Sequence, residues 1–148
     1  MKQIICDLDG TIALCEHRVH LVRQGTPDWD AFFRACDQDE PNWPVIHTLI
    51  ALAEHHDRRR DAEITIFSGR SDMVKKETQV WLAEYLVPHH HLRMRPEGDF
   101  RPDDLVKKEW LLEIGVENVL FTIDDRQSVV DMWRAMGLTC FQVAPGDF

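Results

Sequence analysis

Two carboxylates stand at the end of an apolar run near the start of the sequence, Ile4-Ile5-Cys6-Asp7-Leu8-Asp9-Gly10-Thr11. Alternate residues of a strand share a face, so Asp7 and Asp9 are expected to leave it on the same side. Gly10 then allows a sharp turn without a Cβ penalty. A purely structural strand has no use for paired acids there. An ionised Asp7 can attack phosphorus and carry the phosphoryl group as an aspartyl phosphate. Asp9 can protonate the departing alkoxide and then take a proton from water, a role worth about 10²–10⁴ in rate. Further along, Ser68 offers a hydroxyl to a phosphoryl oxygen, and Lys107, four residues after Asp103, can neutralise nucleophile and phosphate together. Asp124 and Asp125 complete the set. Carboxylates of Asp7, Asp9, Asp124 and Asp125 suit Mg²⁺, which takes oxygen ligands and keeps waters; zinc would call for cysteine or histidine. His89-His90-His91 is no such site, since neighbouring side chains diverge in an extended segment.

Charge sets a condition on this chemistry. Asp7, Asp9, Asp103, Asp124 and Asp125 are balanced by Lys107, Arg18, Arg70 and one divalent cation, and a proton kept on Asp9 tips the site towards attracting phosphate. Without the metal the acids repel one another, and phosphate binding is expected to be poor. Taken singly, an Asp-Asp pair is an ordinary helix cap and Ser68-Gly69-Arg70 an ordinary turn. Asp7-x-Asp9-Gly10-Thr11 is specific by itself; for the other pieces it is their presence together and in this order that points to catalysis.

The elements that must position these groups read as alternating strands and helices, an α/β fold with a mainly parallel sheet. Strands are expected at 4–6, 63–67, 91–95, 118–123 and 140–143. Helices are expected from Pro44 through Ala53, from Ser71 or Asp72 through Leu86, from Asp103 or Asp104 through Leu112, and over 128–136. Val45, Ile46, Leu49, Ile50 and Leu52 form the first helix's apolar stripe, and Val74, Val80, Trp81, Tyr85 and Leu86 the second's. Residues 57–61 read as a charged break. The polar clusters fall at strand ends, where open α/β sheets place their sites. Residues 12–43 break the alternation with Arg18, His20, Arg23, a Gly25-Thr26-Pro27 turn and aromatic Trp29, Phe32 and Phe33. They read as a small cap or substrate loop inserted after the first strand.

The 148 residues suit one domain, 1–148, with 44% apolar and 29% charged residues. No apolar run approaches membrane-spanning length, and no signal peptide is visible. Cys6, Cys15, Cys36 and Cys140 lack CxxC spacing, so reduced thiols in a cytoplasmic setting are expected. A net charge of −9 argues against gripping long duplex nucleic acid, though a few arginines can still read one terminal phosphate.

This order of motifs resembles the haloacid dehalogenase superfamily of phosphotransferases. Asp7-Leu8-Asp9-Gly10-Thr11 looks like its first motif, Ser68 its second, Lys107 its third and Asp124-Asp125 its fourth. The resemblance implies a three-layer Rossmann-like sandwich, Mg²⁺ and a phosphoaspartate. The runs Arg101-Pro102-Asp103-Asp104-Leu105-Val106-Lys107, Ile123 to Arg134 and Cys140 to Phe148 are similar to the 3′-phosphatase domains of phage polynucleotide kinase/phosphatases. That similarity implies removal of a 3′-phosphate from a DNA or RNA end or a 3′-nucleotide, with Arg18, Arg70, Thr11, Gly69 and Asp103 at the substrate. A kinase half would need G-x-x-x-x-G-K-[ST], which this sequence lacks, so no 5′-kinase activity is expected of it.

The nearest rival is a phosphatase of free nucleotides or other small phosphomonoesters. The acidic balance favours that rival, while Arg93, Arg95 and Arg101 around the expected site favour a polynucleotide end. A phospho-acceptor signalling module also clusters Asp, Mg²⁺ and Lys on an α/β sheet, but it wants an acceptor Asp where this chain reads Arg95-Pro96-Glu97. A cysteine phosphatase is excluded, because no Cys has Arg six residues later.

Overall fold

In the computed structural model residues 1–146 are described; Asp147 and Phe148, the last two of the C-terminal run quoted above, lie outside the described residues. In chain order the elements are β1 (Lys2–Asp7), β2 (Ala13–Leu14), α1 (Glu16–Arg23), α2 (Trp29–Arg34), β3 (Glu40–Pro41), α3 (Trp43–Arg59), β4 (Ala62–Ser71), α4 (Lys75–Glu84), β5 (His91–Arg95), α5 (Asp103–Ile114), β6 (Val119–Asp124), α6 (Gln127–Ala135) and β7 (Cys140–Gln142).

β1 is apolar on both faces because both are covered. Ile4 and Cys6 pack with Val45, Ile46 and Leu49 of α3 and Trp81 and Leu82 of α4. Ile5, on the other face, packs with Val106, Trp110 and Leu111 of α5 and Val129, Val130 and Trp133 of α6. The result is the expected three-layer sandwich around a five-stranded parallel sheet, ordered β5-β4-β1-β6-β7. Register is what matters for the site. Asp7 lies opposite Phe67 of β4, and Cys6 opposite Ile123 of β6. The C-terminal ends of these three strands therefore share one edge, with β1 at the point where strand order reverses.

Four local expectations need correction. β4 does not stop at Phe67 but runs through Ser68, Gly69 and Arg70 to Ser71, with an irregularity against β5 between Ser68 and Ser71 that re-aims these side chains. Ser71 caps a short 3₁₀ turn ahead of α4, its Oγ accepting from Met73 N. The charged segment from Asp57 is no break: α3 continues to Arg59, because its charges sit on an exposed face and Arg58 and Arg59 complement the helix C-terminus. Finally, Ile50, Val80 and Leu86 are exposed rather than in the core. Arg93 points away from the site, pairing with Glu113 and lying over Trp110.

Residues 12–43 form a small unit with its ends tied by the antiparallel β2–β3 pair. Its core of Cys15, Val19, Phe32, Phe33 and Cys36 docks on Val74 and Met94 of the main body. All four cysteines are buried and unpaired. The three consecutive histidines take separate partners: Val87 O, Ile64 N with Asp57, and Glu63. Among the described residues no helix is long and apolar enough to cross a membrane.

α3 ends on Arg60, which adopts φ 56°, the left-handed conformation usually left to glycine. Arg60 is exposed, so Arg60→Gly is expected to stabilise the fold by about 1 kcal/mol. Urea unfolding checks this: the midpoint should rise with an unchanged slope.

Candidate active site

β1 ends at Asp7, and the chain folds at once into a tight turn in which Ile12 N and Ala13 N both donate to Leu8 O. Gly10, at φ 85°, is required there: a Cβ would come within 2.1 Å of Asp125 Oδ2. Asp9 lies beyond the strand, so the alternation expected from a strand no longer holds. The two acids consequently serve different clusters.

The first cluster surrounds Asp7. Lys107 Nζ, fully buried on α5, donates to Asp7 Oδ1 at 2.5 Å and to Asp124 Oδ2 at 3.1 Å, with Asp103 Oδ2 at 3.5 Å. Thr11 Oγ1 lies 3.0 Å from Asp7 Oδ2 and 3.3 Å from Asp125 Oδ1. Trp133 Nε1 from α6 donates to Asp124 Oδ2 at 3.1 Å, and Gln142 of β7 holds the Asp125 carbonyl. Burial, then the charge of Asp124, pushes the Asp7 carboxyl well up despite Lys107. Burial also lifts Asp125 to about 6. Lys107 stays charged, its burial outweighed by Asp103, Asp124 and Asp7. The cluster is short of positive charge.

Asp7, Asp124 and Asp125 each offer an oxygen, all within 4.8 Å of one another. Hard oxygen donors in a buried, cation-poor group fit Mg²⁺. The Asp9 carboxylate, expected among the ligands, stands outside this trio because it is turned to the arginines.

The second cluster is built on Asp9. Arg18 Nη2 donates to Asp9 Oδ1 at 2.6 Å, and Arg70 reaches the same oxygen through Nη2 at 2.7 Å and Nε at 3.0 Å. Behind both lies Asp39, whose carboxylate accepts from Arg18 at 2.8 and 2.7 Å and from Arg70 at 3.0 Å. Thr78 Oγ1 and Phe32 O accept the remaining guanidinium donors. Burial opposes ionisation of Asp9, but Arg70 and then Arg18 overcome it and hold the carboxyl far below its usual range. The two arginines therefore favour the carboxylate form of Asp9, whereas the proton on it was expected for a site that also holds a divalent cation.

Asp39 had no sequence motif to announce it. The available signal was indirect: two arginines in a site need a buried counter-charge, and the insert that carries Arg18 carries several acids. Its backbone is fixed too, since Trp81 Nε1 donates to Asp39 O at 2.9 Å.

A cavity of about 380 Å³ opens onto Asp7, Asp9, Asp103 and Asp125. On the β4 side its wall is Gly69 and Ser71. Ser68 is fully buried beside them, its Oγ accepting from Arg70 N. A Cβ on Gly69 would meet Asp103 Oδ1 at 2.2 Å, so glycine lets β4 approach the first turn of α5. Arg95 seals that corner, donating to Gly69 O, Asp99 O, Arg101 O and Asp103 Oδ1. Arg126, unforeseen from sequence, also lines the cavity.

Comparison with known proteins extends this picture. A family model described as the polynucleotide kinase PNKP phosphatase domain matches residues 1–148. The chain is 34% identical over 146 residues to a putative bifunctional polynucleotide kinase/RNA ligase of Autographa californica nuclear polyhedrosis virus, covering 96% of this chain and 19% of that protein. It is 38% identical to a chain in the structure of the Pnkp1/Rnl/Hen1 complex, with a TM-score of 0.79, covering 99% of this chain and 47% of that one. CbbY from Rhodobacter sphaeroides in complex with phosphate shares the fold, with a TM-score of 0.61, 14% identity, and coverage of 100% of this chain and 87% of that one. The chain thus spans less than half the length of the viral relative and of the matched chain in that complex. Matched along its whole length, it belongs to the polynucleotide kinase PNKP phosphatase domain family, within the haloacid dehalogenase superfamily of hydrolases.

Proposed function

We propose that residues 1–148 form one phosphatase domain that removes the 3′-phosphate from a polynucleotide end or a 3′-nucleotide, through an aspartyl phosphate on Asp7. One observation carries this reading: Asp7 meets the open cavity while its Oδ1 is held 2.5 Å from the buried Lys107. The RNA ligase named for the viral relative favours RNA ends. Kinase and ligase activities belong to those longer proteins.

In the reaction Asp7 forms an O–P bond as the bond from phosphorus to the sugar O3′ breaks, and the departing oxygen takes a proton from Asp9. Water then attacks phosphorus, yields its proton to Asp9, and the Asp7–phosphorus bond breaks to release inorganic phosphate. Magnesium held by Asp7, Asp124 and Asp125 would supply positive charge to the phosphoryl oxygens. Lys107 and Thr11 orient Asp7, and Ser68, Gly69 and Asp103 shape the phosphate's surroundings. With both arginines on it, Asp9 as it stands is ionised and too weak a base to hold a proton. To donate one it must first lose Arg18 and Arg70 to the incoming phosphate, while Asp39 keeps both guanidiniums in place. Residues 12–43 act as a cap that supplies Arg18 and Asp39. Four buried, unpaired thiols suit a reducing compartment, and we place the domain in the cytoplasm.

A second reading, a phosphatase of free nucleotides, is favoured by the net charge of −9 and by Asp30, Glu97 and Asp99 at the cavity. Turnover of a 3′-phosphorylated oligonucleotide, compared with 3′- and 5′-mononucleotides, separates the two. The oligonucleotide should be hydrolysed with Mg²⁺, fall silent on chelation and recover when Mg²⁺ returns. Exclusive turnover of 5′-mononucleotides would sink the polynucleotide reading. Asp7→Asn should drop turnover below about a thousandth of wild type with an unchanged circular dichroism spectrum; retained activity would remove Asp7 as nucleophile. Asp9→Asn should cost about 10²–10⁴ on a sugar phosphate and far less on nitrophenyl phosphate, whose leaving group needs no acid. Equal losses would contradict the proton-transfer role.

A further inference from the structure

The chemistry above uses one side of the cavity. The side away from Asp7 is aromatic: Trp29, Phe32 and Phe33 line it from α2, and Phe100 from the loop joining β5 to α5. Phe32 and Phe33 are buried and serve as backing. Trp29 is 37% exposed, and its ring centroid lies 5.6 Å from Phe32 and 6.0 Å from Phe33. Its indole is thus held from behind while one part stays open to the cavity.

Phe100 is displayed differently. It is 78% exposed on a loop that is nonetheless braced on both sides of it. Arg95 Nη1 donates to the carbonyls of Asp99 and Arg101, Arg101 pairs with Asp99 and Glu109, and Glu97 N donates to Asp72. A lone exposed phenylalanine needs no explanation. Two open aromatic rings, from segments about 70 residues apart in sequence and both lining the same cavity as the acids, do.

The charges narrow what these rings can receive. Arg95 and Arg101, the arginines of this loop, are engaged with carbonyls, Asp99, Asp103 and Glu109. Asp30, Glu97 and Asp99 add negative charge around the cavity. A strand gripped by its phosphates would want the opposite. Flat π faces remain, and every nucleobase offers one.

We infer that Trp29 and Phe100 form a stacking subsite for the base of the terminal nucleotide, so that the substrate is read as one 3′-phosphate and one base, with little contribution from phosphates further back. The inference rests on the 3′-phosphatase reading of this cavity. Because stacking tolerates any base, the subsite selects for the presence of a base rather than its identity.

The test compares kcat/KM of the intact protein with Mg²⁺ on two 3′-phosphorylated oligonucleotides, one ending in a normal nucleotide and one in an abasic residue. Wild type should prefer the base-bearing end by about 5- to 150-fold. Phe100→Ala should lower kcat/KM on that end about tenfold, chiefly through KM, and shrink the preference. Phe100→Trp should restore it. Phe100 is exposed, so its variants should fold; matching urea midpoints check this. Equal turnover of both ends by wild type, or an undiminished preference in Phe100→Ala, overturns the stacking subsite while leaving the phosphatase reading intact. If wild type hydrolyses neither end yet turns over a 5′-mononucleotide, both readings fall together.

Discussion

Lys107 lies fully buried between Asp7, Asp103 and Asp124, one positive charge facing three negative ones, and Asp125 adds a fourth acid beside them. Taking an ion out of water costs several kcal/mol even after the protein relaxes, and only close partners repay it. A few ångströms away Arg18, Arg70, Asp9 and Asp39 form a quartet whose charges cancel. The contrast is the central physical fact of the domain. One group of buried charges is complete as it stands, and the other is left wanting a cation. The deficit around Asp7 is where a divalent ion would be held, while the two guanidiniums of the quartet are buried and spent on Asp9 and Asp39.

The fold is what makes that deficit tolerable. Asp7, Asp124 and Asp125 come from the ends of two adjacent parallel strands, β1 and β6, and Asp103 from the start of α5, so the sheet's hydrogen bonds help hold the acids together against their repulsion. Behind them Trp133 reaches out of the α6 core to donate to Asp124, and Trp81 reaches from α4 to the backbone of Asp39. Each indole buries a large apolar body in a helix layer and spends its N–H on the charge network. The cores above and below the sheet are therefore tied directly to the two clusters. Loss of packing in either layer would be felt at the acids.

Much of this was legible in the sequence for an identifiable reason. Asp7, Lys107 and Asp124 lie at strand ends or on the first turns of helices, where hydrophobic periodicity and spacing give position. The three-layer sandwich followed from the same alternation. Asp9 was misread because strand periodicity was carried two residues past the end of the strand, into a turn closed on Leu8 O. Asp39 was invisible because it sits after a 3₁₀ turn with no periodic pattern, and its role exists only once the insert folds back over β4. The length of α3 was misjudged since charged residues at its end look like a loop until one sees that they all face solvent. Local patterns report which residues are in an element. They do not report which buried charge meets which.

The insert's attachments to the main body include buried charges. Arg18 and Asp39 belong to residues 12–43, whereas Asp9 and Arg70 belong to the main body, so the pairs Arg18–Asp9 and Asp39–Arg70 both cross between the two. All four side chains are largely or wholly buried. Lifting the insert would break both pairs at once, besides exposing Phe32, Phe33 and Val19 from their contact with Val74 and Met94. Trp29 of α2 and Phe100 of the loop joining β5 to α5 line the cavity with the insert held in this way. The helix whose Phe32 carbonyl anchors Arg18 thus also sets Trp29 in the cavity wall.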